Sequence, residues 1–213
     1  MKIAIVSESP ADEAAIKILV DAIVGSESEL FSFRTRPNGW TRIFDLLPNI
    51  IKHLHYGGTD VEALVVVIDS DESPIHKVAH ETANVEMPEC RLCRLRVSVR
   101  TELSRLRPLP HGIRLKTALG LAVPAIEAWY RAGLDAHVNE VAWNRKLLGE
   151  DVSYDKRSLK KDTYGSYQPS LNIETTAAVA AAERLTQNLE LLEQLFPNGF
   201  GSLLRDLRGW EDA

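Results

Sequence analysis

The chain has 213 residues, 45% of them hydrophobic and 26% charged, the balance of an ordinary globular protein large enough to bury a substantial core. Its formal net charge of -5 excludes a broad electrostatic pull toward nucleic acid or an anionic membrane, so any anion site must be local. No apolar run is long enough to span a bilayer, and two cysteines cannot build a disulfide framework.

Strand-like and helix-like segments alternate, which predicts an α/β protein with a mostly parallel sheet flanked by helices. Residues 2–6 form a short apolar strand, and charge arrives too early there for a secretory leader. A cytoplasmic protein with no membrane partner is expected. Ser9 and Pro10 open a helix that carries Ala14, Ala15, Ile18, Leu19 and Ile23 on one face and ends at Gly25. Residues 30–36 alternate as a second strand before the turn signal Pro37-Asn38-Gly39. Residues 40–55 read as a helix that Pro48 is expected to kink or divide, stopped by Gly57-Gly58.

Residues 63–68 are the third strand. Its β-branched run, Val65, Val66, Val67 and Ile68, marks a strand buried on both faces. Residues 72–89 are irregular, and residues 90–106 repeat Leu92, Leu95, Val99, Leu103 and Leu106 at helical spacing. Residues 114–123 are a further strand, after which Pro124 is expected at the first position of the helix "AIEAWYRAG". Residues 151–170 read as a polar loop, 173–196 as one long amphipathic helix, and Pro197-Asn198-Gly199 as a turn before a last short helix. Residues 1–133 thus form the α/β domain, with an inserted His/Cys segment near 72–107. Residues 134–213 form a mostly helical extension packed on it.

The third strand ends in Asp69 and Asp71, like charges one residue apart that are costly unless a cation or a hydrogen-bond network compensates them. In an open α/β sheet ligands sit at the carboxyl ends of the strands. Glu8 follows the first strand, and Glu127 stands in the first turn of the helix after the fourth. Hard carboxylate oxygens on such supports suit Mg2+ or Mn2+, which keep waters and bind phosphate. The alternative is that Glu8 and Asp12 only favour a helix N-terminus, as Glu127 would, and that the two aspartates only form a turn.

The stretches "IAIVSESPADEAAI" and "LVVVIDSD" resemble the Toprim fold of topoisomerases, primases and OLD-family nucleases. More closely, with "IEAWYRAG", they resemble small stand-alone Toprim-like proteins that carry an E-A-W motif. The likeness covers about two-thirds of the chain and departs from the family at Ser9, where glycine is usual. It implies that Glu8, Asp69 and Asp71 bind divalent metal for phosphodiester chemistry, with Asp12 as a second acid. It also implies a part in defence against mobile DNA. Asp-x-Asp followed by Glu72-Ser73-Pro74 at the end of a third strand fits a haloacid-dehalogenase phosphatase poorly. No Ser-His-Asp signature, phosphate-cradling glycine loop or dinucleotide fingerprint is present.

The stretch "HKVAHETANVEMPECRLC" places His76 and His80 four residues apart, upstream of Cys90-x-x-Cys93. Two nitrogens and two sulfurs can close a tetrahedral structural Zn2+ site in a segment that lacks a core of its own. The alternative is solvent-facing histidines and small buried cysteines. Arg91, Arg94, Arg96, Arg100, Arg105 and Arg107 crowd one helix, read better as a solvated face paired with acids than as a phosphate-steering strip. Lys160 and Lys161, near Tyr164 and Tyr167, are candidate phosphate contacts. Trp129 is read as core.

The function expected from these residues is metal-dependent hydrolysis of a phosphodiester, nucleic acid being the expected partner. Glu8, Asp69 and Asp71 would hold the metal, Asp12 and Glu127 would be further ligands, and Glu127 could act as the base. The rival expectation is a non-catalytic, zinc-stapled interaction protein that binds a protein partner or nucleic acid.

Overall fold

Four apolar runs, separated by helices long enough to cross over, become four parallel strands. A computed structural model describes residues 1–33, 39–77, 79–82, 87–107 and 114–210. Strands β1 (Lys2–Val6), β2 (Glu29–Phe31), β3 (Ala63–Asp69) and β4 (Lys116–Ala122) form one sheet in the order β2-β1-β3-β4, every pair parallel. From Ala63 to Ile68 the central strand β3 is buried throughout, as its β-branched run requires. The expected strand 30–36 is shorter, and its residues from 34 onward lie outside the described residues.

Helix α1 (Pro10–Val24) connects β1 to β2, whereas α2 (Trp40–Tyr56) carries the chain back across β1 to β3. Right-handed crossovers running in opposite directions place these helices on opposite faces of the sheet. Helix α4 (Arg91–Arg105), after the single turn α3 (Ala79–Thr82), returns on the α2 side and packs against α2 and β4. The winding therefore reverses between β1 and β3, as in a Rossmann-like sheet, and leaves a crevice at their carboxyl ends.

The remaining helices are α5 (Ile126–Arg131), α6 (Glu140–Leu147), α7 (Lys156–Tyr164), α8 (Leu171–Thr186), α9 (Leu189–Leu195) and α10 (Phe200–Arg208). Helix α8 lies along α1, its Ala178, Ala182 and Leu185 buried, while α10 packs on α1 and β4 through Phe200, Leu203, Leu204 and Leu207. Among the described residues no helix is long and apolar enough to cross a membrane.

Several sequence expectations are corrected. Pro48 lies inside α2 without dividing it. Helix α1 buries Ala15, Ile16, Leu19 and Val20, a stripe turned slightly from the one expected. Pro124 stands before α5 rather than at its first position, which Ile126 takes. Residues 151–170 are not all loop. Asp155 accepts from the Ser158 amide at 2.7 Å and its own amide donates to the Ser158 hydroxyl at 2.8 Å, a capping box that starts α7. The expected helix 173–196 is two, because Asn188 leaves helical geometry and caps α9 by accepting from the Leu191 amide at 3.1 Å.

The outer side of β4 is closed by α10 and its flanks. The Leu121 amide donates to the Gly199 carbonyl (3.4 Å), the Leu119 amide to Asp206 (2.9 Å), and the Trp210 indole to the Thr117 carbonyl (3.2 Å). Buried Glu140 accepts from the amides of Asn198 (3.1 Å) and Gly199 (2.6 Å) and so holds this approach in place. A Cβ on Gly199 would lie 2.0 Å from the Leu121 carbonyl oxygen and 3.0 Å from Glu140 Oε1, so that backbone would have to shift. Gly199→Ala is expected to destabilise the fold by about 1–3 kcal/mol, the usual cost of overpacking, read as a lower denaturation midpoint with an unchanged slope.

Candidate functional site

The ladder between β3 and β4 runs past the strands themselves. The Ser70 amide donates to the Ala122 carbonyl at 2.7 Å and the Asp71 amide to the Pro124 carbonyl at 2.9 Å. Asp71 then turns the chain at φ 49°, a left-handed conformation that a short polar side chain tolerates better than most. As a result Asp69 and Asp71 both reach the Lys156 ammonium group.

Asp69 is the most connected residue of the site. Its amide donates to Glu8 Oε1 at 3.1 Å, and its carbonyl accepts from Arg91 Nη1 at 2.7 Å. Its Oδ1 accepts from the Ile126 amide at 3.1 Å, and its Oδ2 meets Lys156 Nζ at 2.9 Å. Asp71 is bound by Lys156 through Oδ1 and by Arg91 Nη1 through Oδ2, the latter at 2.6 Å. The carboxyl ends of β1 and β3 and the starts of α4, α5 and α7 thus meet at one point.

Two further acids join them. Buried Asp12, in the first turn of α1, accepts from the Tyr130 hydroxyl at 3.4 Å. Glu127, in the first turn of α5, lies within electrostatic reach of Asp69 and Asp12. Burial, and then repulsion by Asp69, pushes the carboxyls of Glu8 and Glu127 up to about 7 and raises Asp12 well above the carboxylate range. Burial also raises Asp69, against the pull of Lys156. Asp71 goes the other way: burial opposes ionisation, but Lys156 and then Arg91 hold it below its usual value. Lys156 is raised because its two aspartates outweigh its desolvation. Burial and the neighbouring Glu127 and Asp12 also raise the Tyr164 phenol.

All five acids singled out in the sequence therefore belong to one electrostatic cluster. Two cations of the site were read differently or missed. Arg91, expected on a solvated arginine face, instead ties α4 to the aspartate turn. Lys156 lay in the segment read as loop, and the Asp155/Ser158 pair just around it was the signal for a helix start. The other arginines do not form one strip. Arg94 stacks over Trp40 and Phe44, its guanidinium 4.7 and 4.4 Å from the ring centres. Arg96 bonds Ser202 at 2.5 Å and Asp206 at 3.1 Å, while Arg100, Arg105 and Arg107 are exposed. Lys160 pairs with Glu174 at 3.0 Å, and Lys161 lies over the ring of exposed Tyr167. Trp129 is fully buried against Phe200.

A second constellation lies beside the first. His76, in the loop after β3, His80 in α3, Cys90 at the N-cap of α4 and Cys93 in its first turn place one donor atom each within 4.8 Å of one another. His76 Nδ1 is 3.6 Å from Cys90 Sγ and 3.4 Å from Cys93 Sγ, and His80 Nδ1 is 3.5 Å from Cys93 Sγ. His76, Cys90 and Cys93 are buried, which corrects the alternative of solvent-facing histidines for His76. Burial pushes the Cys90 thiol up to about 12. This set can hold a metal such as zinc.

Comparison of the chain with protein-family models, with curated proteins and with solved structures returns no match.

The raised acids give stability a definite pH slope. Glu8 and Glu127 shift from 4.5 to about 7 on folding, so between those values the native state holds protons that the unfolded chain has released. Stability without added Mg2+ or Mn2+ must then fall as pH rises through that window, by on the order of 3 kcal/mol for each group. Thermal unfolding from about pH 5 to about pH 8 checks the sign. Glu127→Gln is expected to flatten the slope.

Proposed function

We propose that the protein is a metal-dependent phosphodiester hydrolase acting on nucleic acid, built on a Toprim-like sheet. The observation that carries the reading is the convergence of Glu8 with Asp69 and Asp71 at the crevice where the winding of the sheet reverses. Five carboxylates there lie near Lys156 and Arg91, and four of the five are raised, first by burial and then, for Glu8, Asp12 and Glu127, by repulsion from Asp69. Their oxygens are hard donors on rigid supports and fit Mg2+ or Mn2+, with Glu8, Asp69 and Asp71 as the holding set and Asp12 as an added ligand.

A bound divalent ion would polarise the phosphate and acidify a water. The chain's own residues divide the remaining work. Glu127, with its value near neutrality, is placed to take a proton from water. Arg91 and Lys156 bring positive charge to the same crevice, where a phosphate needs it. Tyr130 and Tyr164 wall the acidic side and keep Asp12 out of bulk water. Ser9, the serine beside Asp12, caps α1 by accepting from the Asp12 amide at 3.2 Å, and the proposed attack is by water directly, without a covalent intermediate. A part in defence against mobile DNA rests on the family resemblance alone.

One observation favours a second reading, that of a non-catalytic Toprim-like interaction protein. Lys156 bonds both Asp69 and Asp71 and supplies an internal cation for the pair. Hydrolysis of a generic phosphodiester and calorimetric titration with Mn2+ separate the two readings. Turnover is expected only with Mg2+ or Mn2+. Glu127→Gln is expected to lose about 100-fold or more in kcat, the usual contribution of a general base, and Asp69→Asn to abolish Mn2+ binding. A wild-type protein that neither binds Mn2+ nor hydrolyses the substrate supports the interaction reading.

A further inference from the structure

His80 is the one donor of the His–Cys cluster that stands on a very short helix. Helix α3 is four residues long, a single turn far below the length at which a helix persists alone. Yet His80 on that turn meets Cys93 on α4, and His76 meets both cysteines.

The pattern of distances says what joins them. Pairwise hydrogen bonding would match each thiol with one ring nitrogen. Instead one nitrogen, His76 Nδ1, is nearly equidistant from two sulfurs, and one sulfur, Cys93 Sγ, is nearly equidistant from two nitrogens. That is the pattern of donors directed at a common centre. Bonds of ~2.3 Å to sulfur and ~2.05 Å to nitrogen at tetrahedral angles put neighbouring sulfur and nitrogen donors about 3.6 Å apart. The observed separations are 3.4, 3.5 and 3.6 Å. Thiolate and imidazole together select zinc rather than the hard cations that carboxylates take. With four protein donors such a site is closed, as structural zinc sites are. His80 and Cys93 also line a groove of about 1070 Å³ between α4 and β4, which gives an ion a way in.

We propose that His76, His80, Cys90 and Cys93 bind one zinc ion tetrahedrally, and that this ion fixes Arg91 against the aspartate turn. Arg91 follows Cys90 directly and lies between the two sulfur ligands in sequence. Its Nη1 bonds Asp71 at 2.6 Å and the Asp69 carbonyl at 2.7 Å. His76 lies on the same loop, five residues past Asp71. The loop is thus tied to the start of α4 twice, by the metal at one end and by the ion pair at the other. Arg91 is a positioning residue in this arrangement. The inference stands on these contacts whether or not the carboxylates carry out hydrolysis.

The full chain, purified without chelator, is expected to contain one zinc equivalent by atomic emission. Titrated with Co2+ after removal of zinc, it is expected to show the intense visible bands and sulfur charge transfer of a tetrahedral thiolate site. Cys93→Ser is expected to lose the zinc, whereas Arg91→Met keeps it with the cobalt spectrum unchanged. Hydrogen exchange of zinc-loaded and zinc-stripped wild type reads the coupling, and protection is expected to be lost together in residues 70–77 and 90–95. If Cys93→Ser fails to fold, the wild-type cobalt titration still decides the site. A chain that takes up neither zinc nor tetrahedral cobalt overturns the proposal. Unchanged exchange at 70–77 after zinc removal overturns the link to Arg91.

Discussion

Asp69 is the junction on which the crevice depends. Its backbone closes the end of β3, its amide holds Glu8, its carbonyl holds Arg91, and its two carboxylate oxygens hold the start of α5 and Lys156 of α7. Its hydrogen bonds reach four separate segments, those of Glu8, Arg91, Ile126 and Lys156. Because its side chain is only 16% exposed, these bonds act in a lowered dielectric, where partners count for more and a missing partner costs more. The geometry of Glu8, Arg91 and Lys156 is therefore not three independent facts but one network with Asp69 at its centre.

The sheet was legible in the sequence because its signals are local. A β-branched run of the right length can hardly be other than a buried strand, and β1 and β3 follow from such runs, while β4 follows from an apolar run closed by Pro124. The acids of the crevice were legible for a related reason: once the strands are placed, Glu8 and Asp69 stand at strand ends by counting. What was not legible depends on partners distant in sequence. Lys156 matters only because α7 folds back 85 residues onto Asp71, and nothing around Lys156 announces that contact. Arg91 shares its helix with other arginines, and only the tertiary fold singles it out. The polar segment that holds α7 reads as loop because its helix is short and almost wholly polar, with only Leu159 and Tyr164 buried. The break between α8 and α9 was hidden because leucines continue on both sides of Asn188.

Two kinds of donor lie close together yet remain chemically separate. On one side are carboxylate oxygens, hard and mutually repelling, and on the other thiol sulfurs and imidazole nitrogens within 4.8 Å of one another. Arg91 stands between the two, its place in sequence set by the cysteines and its side chain committed to the aspartates. A short stretch of chain thus connects two sites whose ligand preferences do not compete.

The closure of β4 by α10 has a bearing on how this sheet meets other chains. An exposed strand edge is a template that a second polypeptide can extend, by specific strand addition or by aggregation. On β4 the outward groups at Thr117, Leu119 and Leu121 already have partners in Trp210, Asp206 and Gly199. A strand arriving there would have to displace a packed helix rather than simply dock. The opposite edge, β2, is only three residues long and offers a newcomer little ladder to join. Neither edge of the described sheet thus offers a long open ladder to a second chain.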